Sequence, residues 1–294
     1  MKIFTHVRVD MSQSIVTLIE SLRSLFPEQI LPKGFMCEAP LDDERTRQVL
    51  HLLEQAGLKP WDFTTGLEKK SDSEFSISLI REYDADDLAA CDYLEIWPPS
   101  KAYHPEADLR TDSGEMLIPQ RHLPRGFAIM SSHLYRSYFV TEHAKSVLEA
   151  VPFRGVRLKP ASYQPSSHRK ISTDPSNALG PSTPYWELDS DLTMPPLSPT
   201  VRLTDRDCKP VRRADFSNGM QRTDNLFKPV ELHYRKSELE RLEEFDLART
   251  FEPFGNHRGY QRLFCPLVAS KRFYETCVAN KLKTGWAPVR VDPE

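Results

Sequence analysis

No two cysteines of this chain stand at C-x-x-C spacing, and the five present, Cys37, Cys91, Cys208, Cys265 and Cys277, are odd in number and widely dispersed. That argues against a disulfide framework and leaves reduced, mostly buried thiols as the expectation. No run approaches the roughly 18 apolar residues of a membrane span. The opening Met1–Asp10 alternates like a strand where a secretion signal would carry an apolar stretch, so a soluble, cytoplasmic protein is expected. The chain also lacks G-x-G-x-x-G, G-x-x-x-x-G-K-[ST], H-E-x-x-H and G-x-S-x-G, the common nucleotide, zinc-protease and hydrolase signatures. Its formal net charge is −3, without the basic excess that phosphate backbones select, so nucleic acid is not an expected partner. Glycine is scarce, 11 residues against 24 prolines, and with 10% aromatics this points to ordered irregular structure rather than to disorder throughout. With 294 residues, 39% of them hydrophobic, the chain can fill two ordinary domains or one large one.

What is present reads as one pattern written twice. Tyr83-Asp84-Ala85-Asp86-Asp87-Leu88 leads to Phe139-Val140-Thr141, an apolar-periodic run to Val151, and Gly155-Val156-Arg157-Leu158-Lys159-Pro160. Tyr234-Arg235-Lys236-Ser237-Glu238-Leu239 leads to Leu267-Val268-Ala269-Ser270, a similar run to Leu282, and Gly285-Trp286-Ala287-Pro288-Val289-Arg290-Val291. Thr141 and Ser270 each follow a short apolar strand, where a hydroxyl can accept from a free amide of a new helix. Ala144, Val147, Leu148 and Val151 in one copy, and Phe273, Cys277 and Val278 in the other, form the expected buried faces. Gly155 and Gly285 are expected to leave the helices by left-handed turns. The first copy is longer, with an insertion around Pro98–Gly126. The expected fold is therefore α+β: mixed sheets with packed helices, and an internally duplicated strand–strand–helix–strand module joined by a Pro-rich strap. Residues 1–162 form the N-terminal half, with the first copy from about 76, residues 163–229 the strap, and residues 230–294 the C-terminal half with the second copy.

Elsewhere, a serine at 12 or 14 can cap a helix striped by Ile15, Leu18, Ile19, Leu22 and Leu25 and ended by Pro27. A second helix is expected over Asp42–Ala56, with Val49, Leu50, Leu53 and Ala56 buried, and strands over Phe75–Ile80 and Asp92–Trp97. In the strap, Trp186, Leu188, Leu192, Met194 and Leu197 supply enough apolar surface to hold its later part on a core. The nine histidines form no ligand pair at helical or hairpin spacing; His104 with His122, and His133 with His143, are too loosely placed for a metal. Asp189/Asp191 and Asp205/Asp207 are D-x-D pairs, which as extended chain would put both carboxylates on one face and could hold a divalent ion for phosphodiester chemistry. Aspartates in a proline-rich connector also serve as turn formers. Cys208, between Arg206 and Lys209, is the best-placed thiolate. No catalytic residue, cofactor or metal ligand is assigned.

The segments Asp246-Leu247-Ala248-Arg249, Leu267-Val268-Ala269-Ser270-Lys271-Arg272-Phe273 and Gly285-Trp286-Ala287-Pro288-Val289 resemble a bacterial group of immunity-like proteins, which includes the double-CXXCG proteins found beside contact-dependent or polymorphic toxins. Phe139–Pro160 and Met194-Pro195-Pro196-Leu197-Ser198-Pro199 look like corresponding parts, so the resemblance runs in patches over residues 77 to 291. It implies a non-catalytic protein that neutralises a cognate toxin or effector by direct contact. The group's two cysteine pairs suit one structural zinc; here only Cys208 stands near the second pair, so no zinc site is carried over. Trp186, Glu187, Asp189 and Asp191 are the expected contact residues, an aromatic anchor among carboxylates suiting a basic protein partner. The rival expectation is a metal-dependent hydrolase or nuclease using the D-x-D pairs.

Overall fold

The period-two alternation of the first residues places Val7 and Val9 in a core and sets the register of the sheet around them. In a computed structural model, the structure describes residues 2–10, 16–27, 30–31, 34–40, 43–56, 61–62, 75–104, 110, 114–119, 123–132, 137–164, 185–201, 203, 231–254 and 264–293. They fall into two units, one within Met1–Asp87 and the other within Leu88–Leu203 and Ala214–Glu294. The class is α+β.

The first unit runs β1 (Lys2–Asp10), α1 (Val16–Leu25), β2 (Ile30–Leu31), β3 (Gly34–Pro40), α2 (Glu44–Gln55), β4 (Trp61–Asp62) and β5 (Phe75–Glu82), with sheet order β2-β3-β1-β5-β4. Val7 faces Cys37 on one side and Ile77 on the other. Ile19 and Leu22 of α1, and Val49 and Leu53 of α2, pack with Val7, Val9, Phe26 and Phe35. The expected faces hold, with Leu50 and Ala56 turned further toward solvent. Helix α2 starts after Asp43 rather than at Asp42, because the Asp43 carboxylate accepts the Arg45 N–H at 2.7 Å.

The boundary at Asp87 falls within α3 (Ala85–Ala89), and the second unit continues with β6 (Tyr93–Ile96), β7 (Tyr103–His104), β8 (Leu117–Pro119), β9 (Ile129–Ser132), β10 (Tyr138–Thr141), α4 (Glu142–Glu149), β11 (Arg157–Pro160) and β12 (Ser162–Gln164). Then come β13 (Tyr185–Asp189), β14 (Leu232–Arg235), α5 (Lys236–Leu239), β15 (Leu247–Arg249), β16 (Leu267–Ser270), α6 (Lys271–Ala279) and β17 (Trp286–Asp292). One sheet has the order β11-β13-β10-β9-β7, a second β14-β17-β6-β16-β15, and β12 pairs with β8. The expected caps form: Thr141 accepts from the Ala144 N–H at 3.3 Å and Ser270 from the Phe273 N–H at 3.2 Å. The largest core gathers Ile96, Ile129, Tyr138, Val140, Leu148, Leu188, Leu247, Leu267, Phe273 and Cys277, drawn from both sheets and both helices.

Three local expectations are corrected. Val278 is 55% exposed, because one residue past buried Cys277 turns it about 100° round the helix. Gly155 takes the left-handed conformation (φ +87°), but Gly285 does not; after α6 it is Lys281 that turns left-handed, at φ 55°. Gly285 is needed for space, since a Cβ there would lie 2.1 Å from the Trp97 carbonyl oxygen. Finally, residues 185–189 of the expected connector form an interior strand, β13, between β10 and β11. Past it, Met194 and Leu197 are buried as anticipated.

Candidate functional site

Strand β13 carries three of the four expected contact residues, Trp186, Glu187 and Asp189, and its alternation divides them between two faces. Trp186 and Leu188 point to the α4 side, where Leu188 joins the core and Lys145 Nζ lies 4.7 Å above the indole of half-buried Trp186. Tyr185, Glu187 and Asp189 point to the other side, where the Tyr185 ring meets Phe139 edge-on at 6.0 Å. Glu187 is buried and held by both arms of one guanidinium, Arg110 Nη2 to Oε1 at 2.5 Å and Arg110 Nη1 to Oε2 at 3.0 Å. Asp189 Oδ2 receives Arg249 Nη2 at 2.6 Å and Lys159 Nζ at 3.2 Å. Asp191 is exposed on the bend after the strand. The structure thus does not gather these four into one acidic patch: two carboxylates are neutralised within the protein, and the tryptophan faces away from them.

No group of three or more metal-binding side chains occurs among the described residues. Asp205, Asp207 and Cys208, with Arg206 and Lys209, lie outside them, as do His122 and His133. His104 is buried with Nε2 2.7 Å from the Pro119 carbonyl, and His143 Nε2 lies 3.4 Å from that of Asn280. Burial pushes the Cys277 thiol up to about 12 and the Cys37 thiol up to about 11, so neither supplies a thiolate near neutrality.

Two features were not foreseen. The first is a recess of about 250 Å³ between the end of α4 and β11, lined by Leu148, Val151, Pro152, Phe153, Val156 and Leu158 with Glu149. Its origin is local: α4 ends into Val151-Pro152-Phe153 where a polar exit is usual, and the Gly155 turn brings Val156 and Leu158 back beside them. Such an open recess, with six apolar side chains and a carboxylate on its wall and polar atoms making up much of its exposed lining, can take a side chain or small group from outside.

The second is a cluster drawn from three distant segments. Asp292 accepts from Thr200 Oγ1 at 2.6 Å through Oδ2 and lies 3.2 Å from His233 Nδ1 through Oδ1. The Ser198 hydroxyl also bonds to it, and these contacts, Ser198's first, hold its carboxyl below the usual carboxylate range. Thr200 Oγ1 is 3.0 Å from Ser198 Oγ, and the Ser198 N–H donates to the His233 carbonyl at 2.7 Å. A nucleophilic triad needs its hydroxyl on the far ring nitrogen of the histidine. Here the hydroxyls sit on the aspartate, so the cluster clamps the strap to β14 and β17 rather than activating a nucleophile.

No protein-family model matches the chain, and no curated protein matches it. Among the described residues no helix is long and apolar enough to cross a membrane.

Proposed function

We propose that the protein is a non-catalytic, immunity-type binding protein that neutralises a bacterial toxin or effector by direct contact. Two things support this reading: the resemblance of Asp246–Arg249, Leu267–Phe273 and Gly285–Val289 to immunity-like proteins, and the recess beside α4. The recess is the observation that carries it. A concavity with six apolar lining residues suits the buried anchor around which protein interfaces concentrate their affinity. On its wall Glu149, which Lys145 Nζ approaches to 3.2 Å, keeps half of its side chain exposed as an acceptor for a partner's basic group.

The test is growth. Expressing the product of the adjacent gene alone should arrest cells, and co-expressing this chain should restore them. A neighbouring product that is harmless without this protein counts against neutralisation.

A further inference from the structure

The two large sheets of the second unit share one register once Thr141 and Ser270, the two helix caps, are set as equivalent. Thr141 then faces Tyr185 as Ser270 faces Tyr93, Val140 faces Trp186 as Ala269 faces Leu94, and Phe139 faces Glu187 as Val268 faces Glu95. Tyr93-Leu94-Glu95-Ile96 thus matches Tyr185-Trp186-Glu187-Leu188: a tyrosine, an apolar residue, a buried glutamate and an aliphatic residue. One strand further out, Leu188 faces Leu158 and Trp186 faces Pro160, while Ile96 faces Trp286 and Leu94 faces Pro288. On the other flank, Val140 faces Ile129 as Ala269 faces Leu247. The margins agree as well. Ser162 with Leu117 and Arg290 with His233 are parallel pairs at the same step, and so are Tyr103 with Ser131 and Thr193 with Arg249.

The contact between the two halves is reciprocal at these same positions. The Ala128 and Ile129 N–H groups donate to the Lys283 carbonyl at 2.8 and 3.4 Å; those of Asp246 and Leu247 donate to the Arg154 carbonyl at 2.9 and 3.2 Å. Ala128 and Asp246 are themselves equivalent, since their carbonyls accept from the Thr141 and Ser270 N–H groups at 3.1 and 3.0 Å. A patch that meets its own counterpart in this way is the signature of a two-fold axis. Along the chain the orders are β6-β7-β8-β9-β10-α4-β11-β12 and β13-β14-α5-β15-β16-α6-β17, so each series has an element the other lacks, β7 and α5, yet β6 lies in the sheet of the second series and β13 in that of the first.

We infer that residues 93–164 and 185–292 are two copies of one module about a local two-fold axis, each of which has given its first strand to the other's sheet. The exchange is a lock. Removing β6 would part β16 from β17, and removing β13 would part β10 from β11, so neither sheet is complete until both copies are in place. Two sheets that could have been separate folding units become one. The inference is independent of any toxin.

The test uses the full chain with a specific protease site introduced between residues 165 and 184. Directly opposed strand residues are close enough for a disulfide. After oxidation and cleavage, the Leu94→Cys/Ala269→Cys chain should run as one species without reductant and as two with it. Leu94→Cys/Val140→Cys, the pairing of an unexchanged module, puts both new thiols on one fragment and is read by peptide mapping, where they should stay unlinked; a disulfide between them, with the first variant giving two species without reductant, overturns the inference. A second measurement needs no substitution. In hydrogen exchange on the unaltered chain under rising urea, amides of β6, β10, β13, β16 and β17 should lose protection at one urea concentration. Loss of the β9–β11 and β15–β17 groups at two separate concentrations would overturn the lock.

Discussion

Arg154 and Lys283 each lie thirteen residues past a helix-capping hydroxyl, Thr141 and Ser270, and each offers its carbonyl to two N–H groups at the start of a strand, Arg154 to β15 and Lys283 to β9. Backbone geometry is reused there although the side chains differ. Local devices of this kind decide where the second unit is sensitive to change.

Gly285→Ala should be costly. The added methyl would meet a backbone carbonyl at 2.1 Å, which no rotamer change relieves, and a loss of about 2 kcal/mol or more is expected in urea unfolding. Gly155→Ala adds a left-handed φ to a clash of 2.2 Å with the Leu247 carbonyl oxygen and should cost at least as much. Wild-type midpoints for both variants would contradict the close approaches.

Arg110→Ala strips both guanidinium hydrogen bonds from Glu187, a buried carboxylate on β13. Because the guanidinium itself is 38% exposed, solvent screens part of the effect, and a cost of about 1–3 kcal/mol is expected. Arg110→Ala combined with Glu187→Gln should recover part of it, since the second change removes the stranded charge. A double-mutant cycle with no coupling between the two sites would show that the pair adds nothing.

The Asp292 clamp makes a pH prediction. Its folded-state pKa is lowered, so the stability it contributes is present above the unfolded carboxyl value, near 4, and is lost as pH falls through the folded value. Asp292→Asn should cost about 1–2 kcal/mol at pH 6. The gap to wild type should close progressively below about pH 4. A gap that persists undiminished at pH 2.5 would place the loss elsewhere.

Thiol labelling reads the core. With its pKa pushed up to about 12 and its side chain fully buried, Cys277 should resist iodoacetamide at pH 8 until the chain unfolds, and Cys37, at about 11, should do the same. Peptide mass mapping that finds Cys277 alkylated in native buffer would argue against the packing of α6.

Features governed by near neighbours were legible in the sequence. Thr141 and Ser270 cap helices because a hydroxyl beside a free amide acts within three residues, and the stripes of α1, α2 and α4 follow from the helical period alone. What escaped depends on residues far apart. Tyr185–Asp189 sits in a proline-rich setting, and only its ladders with β10 and β11 mark it as an interior strand. Glu187 and Asp189 read as a free acidic patch because Arg110 and Arg249, their partners, stand 77 and 60 positions away. The Asp292 clamp unites residues 198, 200, 233 and 292, whose spacing carries no period. The two capped helices were visible, while the partners of the strands that lead into them were not: Ser270 finds Tyr93, and Thr141 finds Tyr185.

The proposal that this protein acts by contact is tested most directly by titrating the purified chain into a fixed amount of the neighbouring gene's product, following residual toxic activity together with calorimetric heat. A contact inhibitor silences the toxin linearly, reaching zero at a 1:1 ratio with a Kd of about nanomolar or tighter, and leaves the toxin's mass unchanged. Val151→Arg, in the lining of the recess, should weaken binding about tenfold or more. Full inactivation at a small fraction of one equivalent, or a toxin recovered with altered mass, would mean turnover and would contradict the account.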